Sequence, residues 1–282
     1  MLIDTHCHIH EASYDLDRDE VIRRAHYAGV QKMICVGTDQ TSSREAIEFA
    51  SKHDGIFAAV GVHPHEAKDG WGGITALLSR SQSSSGQSRD GFAGAVDIHS
   101  TSQKEAGSSA ARRPDKIVAV GEIGLDYFYA HSPRQTQIHA LEAQINMAIR
   151  SNLPIIFHVR EAFDDFWPIF DNFHGIRGEL HSFTDTTRQL EEGLKRGLYV
   201  GVNGISTFTK DKAQQAMFAA IPLDRMLLET DAPFLTPAPL RGKVNEPANV
   251  RAVAEFHAVR RGMQTDELAA VTTKNASLLF DF

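Results

Sequence analysis

His6 and His8 are separated by a single residue in this 282-residue chain. Side chains alternate along an extended segment, so the two imidazoles point the same way and Cys7 points away. Two neutral ring nitrogens then converge on one point, which suits a divalent cation. Glu122, His158, His181 and Asp231 stand far apart in the chain, but each lies where a short apolar run gives way to polar residues. If those runs are strands ending on one face, four imidazoles and two carboxylates meet there. That exceeds one tetrahedral site and suits two cations sharing a bridging ligand. Without cations, so many ionisable groups would be costly to cluster. Such a cation pair generates a hydroxide nucleophile near neutral pH and offsets charge building on a phosphoryl or carbonyl oxygen. Glu122 is the natural bridge, because a carboxylate offers one oxygen to each cation. Asp231 is expected to be a ligand that also accepts a proton from the attacking water.

His63 and His65, in Gly61-Val62-His63-Pro64-His65, read either as contacts to a scissile phosphate or as donors that orient the ligands. His10 reads as a residue that orients its loop or faces solvent. Cys7 and Cys35 read as small buried hydrophobes, and no G-x-S-x-G motif supports a serine nucleophile.

Positioning such a set requires a repeated scaffold. Apolar runs recur at Leu2-Ile3, Met33 to Val36, Ile56 to Val60, Ile117 to Val120, Ile155 to Phe157, Glu179-Leu180, Leu198 to Val202 and Met226 to Leu228. Several are Val- and Ile-rich, as strands of a parallel sheet buried on both faces are. The segments between them carry apolar residues at helical spacing. Ser42-Ser43-Arg44-Glu45 and Ser132-Pro133-Arg134-Gln135 resemble capping boxes that open two of these helices. Eight strands alternating with about eight helices predict an α/β fold, a closed (β/α)8 TIM barrel. An open doubly wound sheet would more often show a G-x-G-x-x-G turn, and none is present. In a barrel the strand ends surround one mouth, where active sites of this architecture are built. Seven of the 14 histidines, namely His6, His8, His10, His63, His65, His158 and His181, fall just past strands on this reading.

Residues 79–115 break the pattern, with ten serines between Ser79 and Ser109. That composition buries little and predicts a flexible, disordered loop insertion between the third and fourth strands. A protein partner bound through this loop is the alternative. The pattern resumes in phase afterwards, so residues 1–282 read as one domain. The composition, 42% hydrophobic and 23% charged, excludes a largely disordered chain. No apolar stretch reaches the ~18 residues that span a bilayer, so no membrane association is expected. Two cysteines cannot build a disulfide framework, which makes a reducing cytoplasmic setting the default, with the nucleus as alternative. A net charge of −7 argues against a broad basic face for duplex nucleic acid. A monomer is the default assembly.

Taken in order, the motifs resemble those of the TatD family of metal-dependent deoxyribonucleases, within the amidohydrolase-like barrels. They are Asp4-Thr5-His6-Cys7-His8, Gly61-Val62-His63-Pro64-His65, Gly121-Glu122-Ile123-Gly124-Leu125-Asp126-Tyr127, Leu153 to Arg160, His181-Ser182-Phe183-Thr184, and Glu229 to Leu235 followed by Arg241-Gly242-Lys243 and Asn245-Glu246-Pro247. The resemblance covers nearly the whole chain outside 79–115. It implies that His6, His8, Glu122, His158, His181 and Asp231 are the metal ligands. It also implies hydrolysis of phosphodiester bonds in DNA, often from the 3′ end, with Mg²⁺; the histidine-rich donor set by itself favours Zn²⁺ or Mn²⁺. The acidic net charge suits single-stranded ends, with Arg160, Arg241 and Lys243 as phosphate partners. Phe234 and Tyr127 are expected to pack in the core rather than stack on a base. Asp185 stands where the family commonly has glycine, either adding an acid near the mouth or capping the next helix. A small-molecule amidohydrolase or lactonase on the same barrel is the alternative function. Binuclear members of that group often bridge their metals with a modified lysine, where this chain has Glu122.

Overall fold

Eight parallel strands form a single sheet in the order β1 to β8, each hydrogen-bonded to the next in sequence. The computed structural model describes residues 1–84 and 116–282, with side chains up to 79 and from 116. The strands are β1 (Leu2–Cys7), β2 (Val30–Val36), β3 (Ile56–Val60), β4 (Ile117–Asp126), β5 (Ile155–Arg160), β6 (Gly178–Leu180), β7 (Tyr199–Val202) and β8 (Met226–Leu228). The helices are α1 (Arg18–Tyr27), α2 (Gln40–Lys52), α3 (Gly72–Ser84), α4 (Arg134–Ser151), α5 (Phe163–Phe170), α6 (Thr187–Lys195), α7 (Ile205–Phe208), α8 (Lys212–Ala220), α9 (Val250–Arg261) and α10 (Thr265–Phe280). This is the expected (β/α)8 barrel. The ring closes just beyond β8, where Asp231 N–H donates to His6 O at 2.8 Å and His8 N–H to Ala232 O at 2.7 Å. The closing seam therefore sets Asp231 beside the His-x-His pair.

Alternation along the strands sorts the apolar side chains into two clusters. Ile3, Ile34, Val36, Ile156 and Leu227 form a compact inner cluster with Leu279 and Phe280 of α10. Their neighbours in sequence, such as Met33, Cys35, Ile155 and Met226, belong to the larger cluster shared with the surrounding helices. Cys7 and Cys35 are fully buried there, as expected of small hydrophobes.

Several boundaries differ from expectation. The fourth strand runs on past Val120 to Asp126, so Glu122 lies within it. The polar Glu122 and the glycines interrupt the apolar run, but the backbone continues pairing, with Gly124 opposite His158. A Cβ at Gly124 would lie 1.7 Å from the His158 carbonyl oxygen, so this close approach requires glycine. α2 begins earlier than the serines suggested. Asp39 is its cap, accepting from Thr41 and Ser42 N–H, and Ser42 returns the capping-box bond. Ser132 does not cap α4: its hydroxyl donates to His65 O and accepts from Lys68 N–H, which ties the segment after β3 to α4. α3 also carries regular structure through Ser84, inside the stretch expected to be loop. The expectation for 85–115 lies outside the described residues. Among the described residues, no helix is long and apolar enough to cross a membrane.

Candidate metal centre

The C-terminal ends of the strands enclose a cavity of about 660 Å³. His8, Glu122, His158, His181 and Asp231 line it, and so do His63, His65 and Arg160. His6 sits fully buried at its base. The six residues expected to converge therefore do so. The Nε2 atoms of His6 and His8 face each other at 3.1 Å, and the His6 and His181 rings stack with centroids 3.5 Å apart. Asp231 Oδ1 is 3.4 Å from His8 Nε2 and 3.7 Å from His6 Nε2.

Glu122 is the hub. Its Oε2 lies 3.4 Å from His6 Nε2. Its Oε1 lies 2.8 Å from His158 Nδ1, 3.5 Å from His63 Nε2 and 3.8 Å from His181 Nε2. The two carboxylate oxygens thus face different sets of imidazoles. Three groups among the described residues have donor atoms all within 4.8 Å of one another: His6, His8 and Glu122; His6, His181 and Asp231; and His63, Glu122 and His158. Each could hold a metal ion. The last brings in His63 as a possible donor, a closer approach than the sequence reading gave it.

The electrostatics suit a cationic load. Burial works to lower the His8 imidazole, but the hydrogen bond and charge of Asp231 outweigh it and push it up to about 9. Burial likewise opposes protonation of His181, yet the charges of Glu229 and Glu122 raise it to about 10. Burial would raise Glu122, but the surrounding imidazoles, His63 and His181 first, hold its carboxyl well below the usual range. His8 and His181 therefore draw positive charge even from protons, while burial and neighbouring imidazoles lower His6 and His63; divalent cations fit the same donors.

The imidazoles are oriented from behind. His8 Nδ1 pairs with Val36 O at 2.8 Å and His181 Nδ1 with Glu229 Oε2 at 3.0 Å, so both rings present Nε2 to the centre. His158 is turned the other way, with Nε2 on Asp126 Oδ2 at 3.0 Å and Nδ1 on Glu122. Such carboxylate and carbonyl partners fix tautomer and ring orientation. Glu229 is itself held by Ser182 N–H at 2.7 Å and Asn203 Nδ2 at 3.2 Å. Asp126 also meets His65 Nε2 at 3.1 Å. The sequence reading gave Asp126 and Glu229 no role. Their signal was position: Asp126 lies four residues along the strand from Glu122, hence on its face, and Glu229 lies two before Asp231.

Other expected residues divide. Arg160 lines the mouth, whereas Arg241 and Lys243 are not among the lining residues. Arg241 lies over the Phe208 ring, 3.8 Å from its centroid, and donates to Thr236 O. Lys243 is exposed. His10 is 6% exposed, so the solvent-facing alternative does not hold, and burial lowers it to about 3. Asp185 does not cap α6; Thr186 does, accepting from Gln189 N–H. Tyr127 packs partly against the core, as expected, and its hydroxyl donates to Asp165. Phe234, expected in the core, is instead 57% exposed at the mouth.

Comparison with known proteins shows which family the chain resembles. The TatD-related DNase family model matches residues 3–281. A Bacillus subtilis protein named uncharacterized metal-dependent hydrolase YabD is 36% identical, over 99% of each chain. An Erwinia tasmaniensis protein named 3′-5′ ssDNA/RNA exonuclease TatD is 33% identical, covering 99% of this chain and 100% of its own. The crystal structure of YjjV, a TatD homologue from Escherichia coli K12, superposes with a TM-score of 0.81 at 28% identity, covering 100% of this chain and 98% of that one.

Proposed function

The chain belongs to the TatD-related DNase family, and on that premise we propose that it is a divalent-metal-dependent deoxyribonuclease that trims single strands from the 3′ end. The observation that carries this reading is the split use of Glu122, whose two oxygens face different imidazole sets. A carboxylate so placed would be able to serve two cations. His6, His8, His158, His181 and Asp231 would complete the donor set, and His63 borders it. When bound, the cations supply Lewis acidity toward a phosphodiester and acidify water.

The chain's own residues do the rest. Burial would raise Asp231, but the hydrogen bond from His8 keeps its carboxyl below the usual value, so it is ionised at neutral pH. Ionised, it can take a proton from the attacking water. His63 is held neutral, mainly by burial and by neighbouring His158, and can offer an N–H to a phosphoryl oxygen. Arg160 stands at the rim to receive a further phosphate. It is the one Lys or Arg among the described residues that line the cavity, which favours a short single-stranded end over a long backbone track.

The test is a panel of single-stranded DNA labelled at either end, duplex DNA, RNA and lactones, each with Mg²⁺, Mn²⁺ and Zn²⁺. The expected result is shortening of single-stranded DNA from the 3′ end only with added cation, and its loss on chelation. Lactone turnover with DNA left intact would assign the barrel to the small-molecule alternative.

A further inference from the structure

Phe234 and Tyr129 face the metal centre from opposite sides. Phe234 follows β8 and Tyr129 follows β4, and those strands lie half-way round the eight-stranded ring from each other. Both residues line the cavity that holds the histidine cluster. Large exposed aromatics are few among the described residues: Tyr27, Phe128, Tyr129 and Phe234. Three of these four sit on loops beyond the C-terminal strand ends, so their exposure is not scattered as ordinary surface apolar residues are.

Each residue is anchored through its backbone while its ring remains open. Phe234 N–H donates to Asp231 O at 2.8 Å, and Asn245 Nδ2 donates to Phe234 O at 2.6 Å. Leu235, which follows Phe234, and Asp231, three residues before it, both adopt φ of 56°, a left-handed conformation that in a non-glycine residue persists only where surroundings enforce it. Phe234 meets His8 edge-on at 6.4 Å and is 57% exposed. Across the mouth, Tyr129 N–H donates to Asp126 Oδ1 at 2.9 Å, so its loop hangs from the carboxylate that braces His158. The Arg160 guanidinium lies over both Phe128, at 4.0 Å, and Tyr129, at 4.7 Å. Tyr129 nevertheless stays 51% exposed.

Fixed, half-open aromatic rings beside a single cation match one ligand chemistry well: flat, uncharged π-surfaces flanking one phosphodiester. We infer that Phe234 and Tyr129 are stacking platforms for the two nucleobases on either side of the scissile phosphate. The inference rests on the nuclease reading and names its specificity. Stacking is tolerant of base identity, so this arrangement selects unpaired nucleotides without selecting sequence. A base still paired in a duplex has its faces covered and cannot reach either platform without unstacking.

The experiment uses the metal-loaded full chain and three strands of one sequence: intact, abasic at the terminal nucleotide, and abasic at the penultimate one. KM is measured for each on the wild type, Phe234→Ala and Tyr129→Ala. Loss of one stacked base is expected to raise KM about 5- to 140-fold in the wild type. Each variant should raise KM on the intact strand by a similar factor and lose its sensitivity to one abasic position, the two variants losing different positions. Phe234→Trp should restore discrimination that Phe234→Leu does not. Melting curves check folding, which an exposed ring should hardly affect. If both variants keep full sensitivity at both positions, or weaken all three strands equally, the platforms are overturned while the nuclease stands. If the wild type cuts none of the strands, the nuclease reading itself fails and the platforms fall with it.

Discussion

Two buried histidines, His181 at the mouth and His257 on α9, have nearly the same exposure, 7% and 3%, but opposite chemistry. Burial lowers both. At His181 the charges of Glu229 and Glu122 reverse the effect and carry the imidazole to about 10. At His257 nothing reverses it: burial, with help from Arg261 and Arg260, takes the ring down to about 3. Its Nε2 meets Ser206 Oγ at 2.9 Å. The contrast shows that depth does not make a site. His257, packed in the wall, is kept neutral by its surroundings, whereas His181 is surrounded by carboxylates that call for positive charge. Only the second environment leaves a charge deficit for a cation to fill.

The largest effect that sharpens this contrast is expected at Asp231. Asp231→Asn keeps the shape but removes the charge that faces His6 and His8 and the group that accepts a proton. Loss of general-base action alone costs about 10²–10⁴-fold in rate. Steady-state cleavage of a labelled single strand measures it, with circular dichroism to show an intact fold. A variant within a few-fold of the wild type would remove Asp231 from the proposed chemistry.

Next in size is Glu229→Gln. The amide keeps hydrogen-bonding atoms near His181 Nδ1 but abolishes the charge that holds the ring's tautomer. Removing such partners typically costs 10–100-fold in metal affinity or activity. Isothermal titration with Mn²⁺ or Zn²⁺ measures it directly. Affinity equal to the wild type would mean that the carboxylates behind the imidazoles do not tune the centre, and the contrast with His257 would lose its point.

His257 supplies the counterpart in stability. Its folded-state value of about 3 lies below the ordinary 6.5. Above pH 6.5 neither state binds the proton and the contribution to stability is complete. As pH falls below 6.5 the unfolded chain takes up a proton that the folded chain refuses, so stability declines until about pH 3. The slope is at most about 1.4 kcal/mol per pH unit. His257→Gln, which can still reach Ser206, should flatten the urea-unfolding midpoint between pH 6.5 and 5 relative to the wild type. An unchanged slope would show that His257 is not held neutral by burial.

Much of this was open to inspection in the sequence, for identifiable reasons. The barrel followed from period: apolar runs and amphipathic segments alternate, and the chain closes where Asp231 and Ala232 meet His6 and His8. The ligand candidates followed from their place just after apolar runs. The residues behind them were harder to see. Asp126 looks like the tail of a motif until β4 is known to continue to it. Phe234, between Pro233 and Leu235, reads as core because sequence shows hydrophobicity and not direction; the ring is in fact 57% exposed. Asp39 outcompetes the serines of α2 through cap geometry that a run of similar polar residues does not reveal.

Arg160 and Arg241 divide on the same principle, and here the expected effect is smallest. Both are arginines over aromatic rings. Arg160 lines the cavity, but Arg241 lies over Phe208, binds Thr236 O and is absent from the lining. Arg160→Ala removes the single lining Lys or Arg among the described residues and should raise KM for single-stranded DNA several-fold. A charge-assisted contact of about 1.5–3 kcal/mol sets the upper bound. It should also flatten the salt dependence of KM by roughly one phosphate contact, a change of about 0.7 in the logarithmic slope. Arg241→Ala should change KM less than about twofold and leave the salt slope alone, because an exposed charge away from the phosphate is screened and weak. Equal salt slopes for the two variants would mean that the strand's path crosses the Arg241 loop, and that the cavity lining alone does not define where DNA lies.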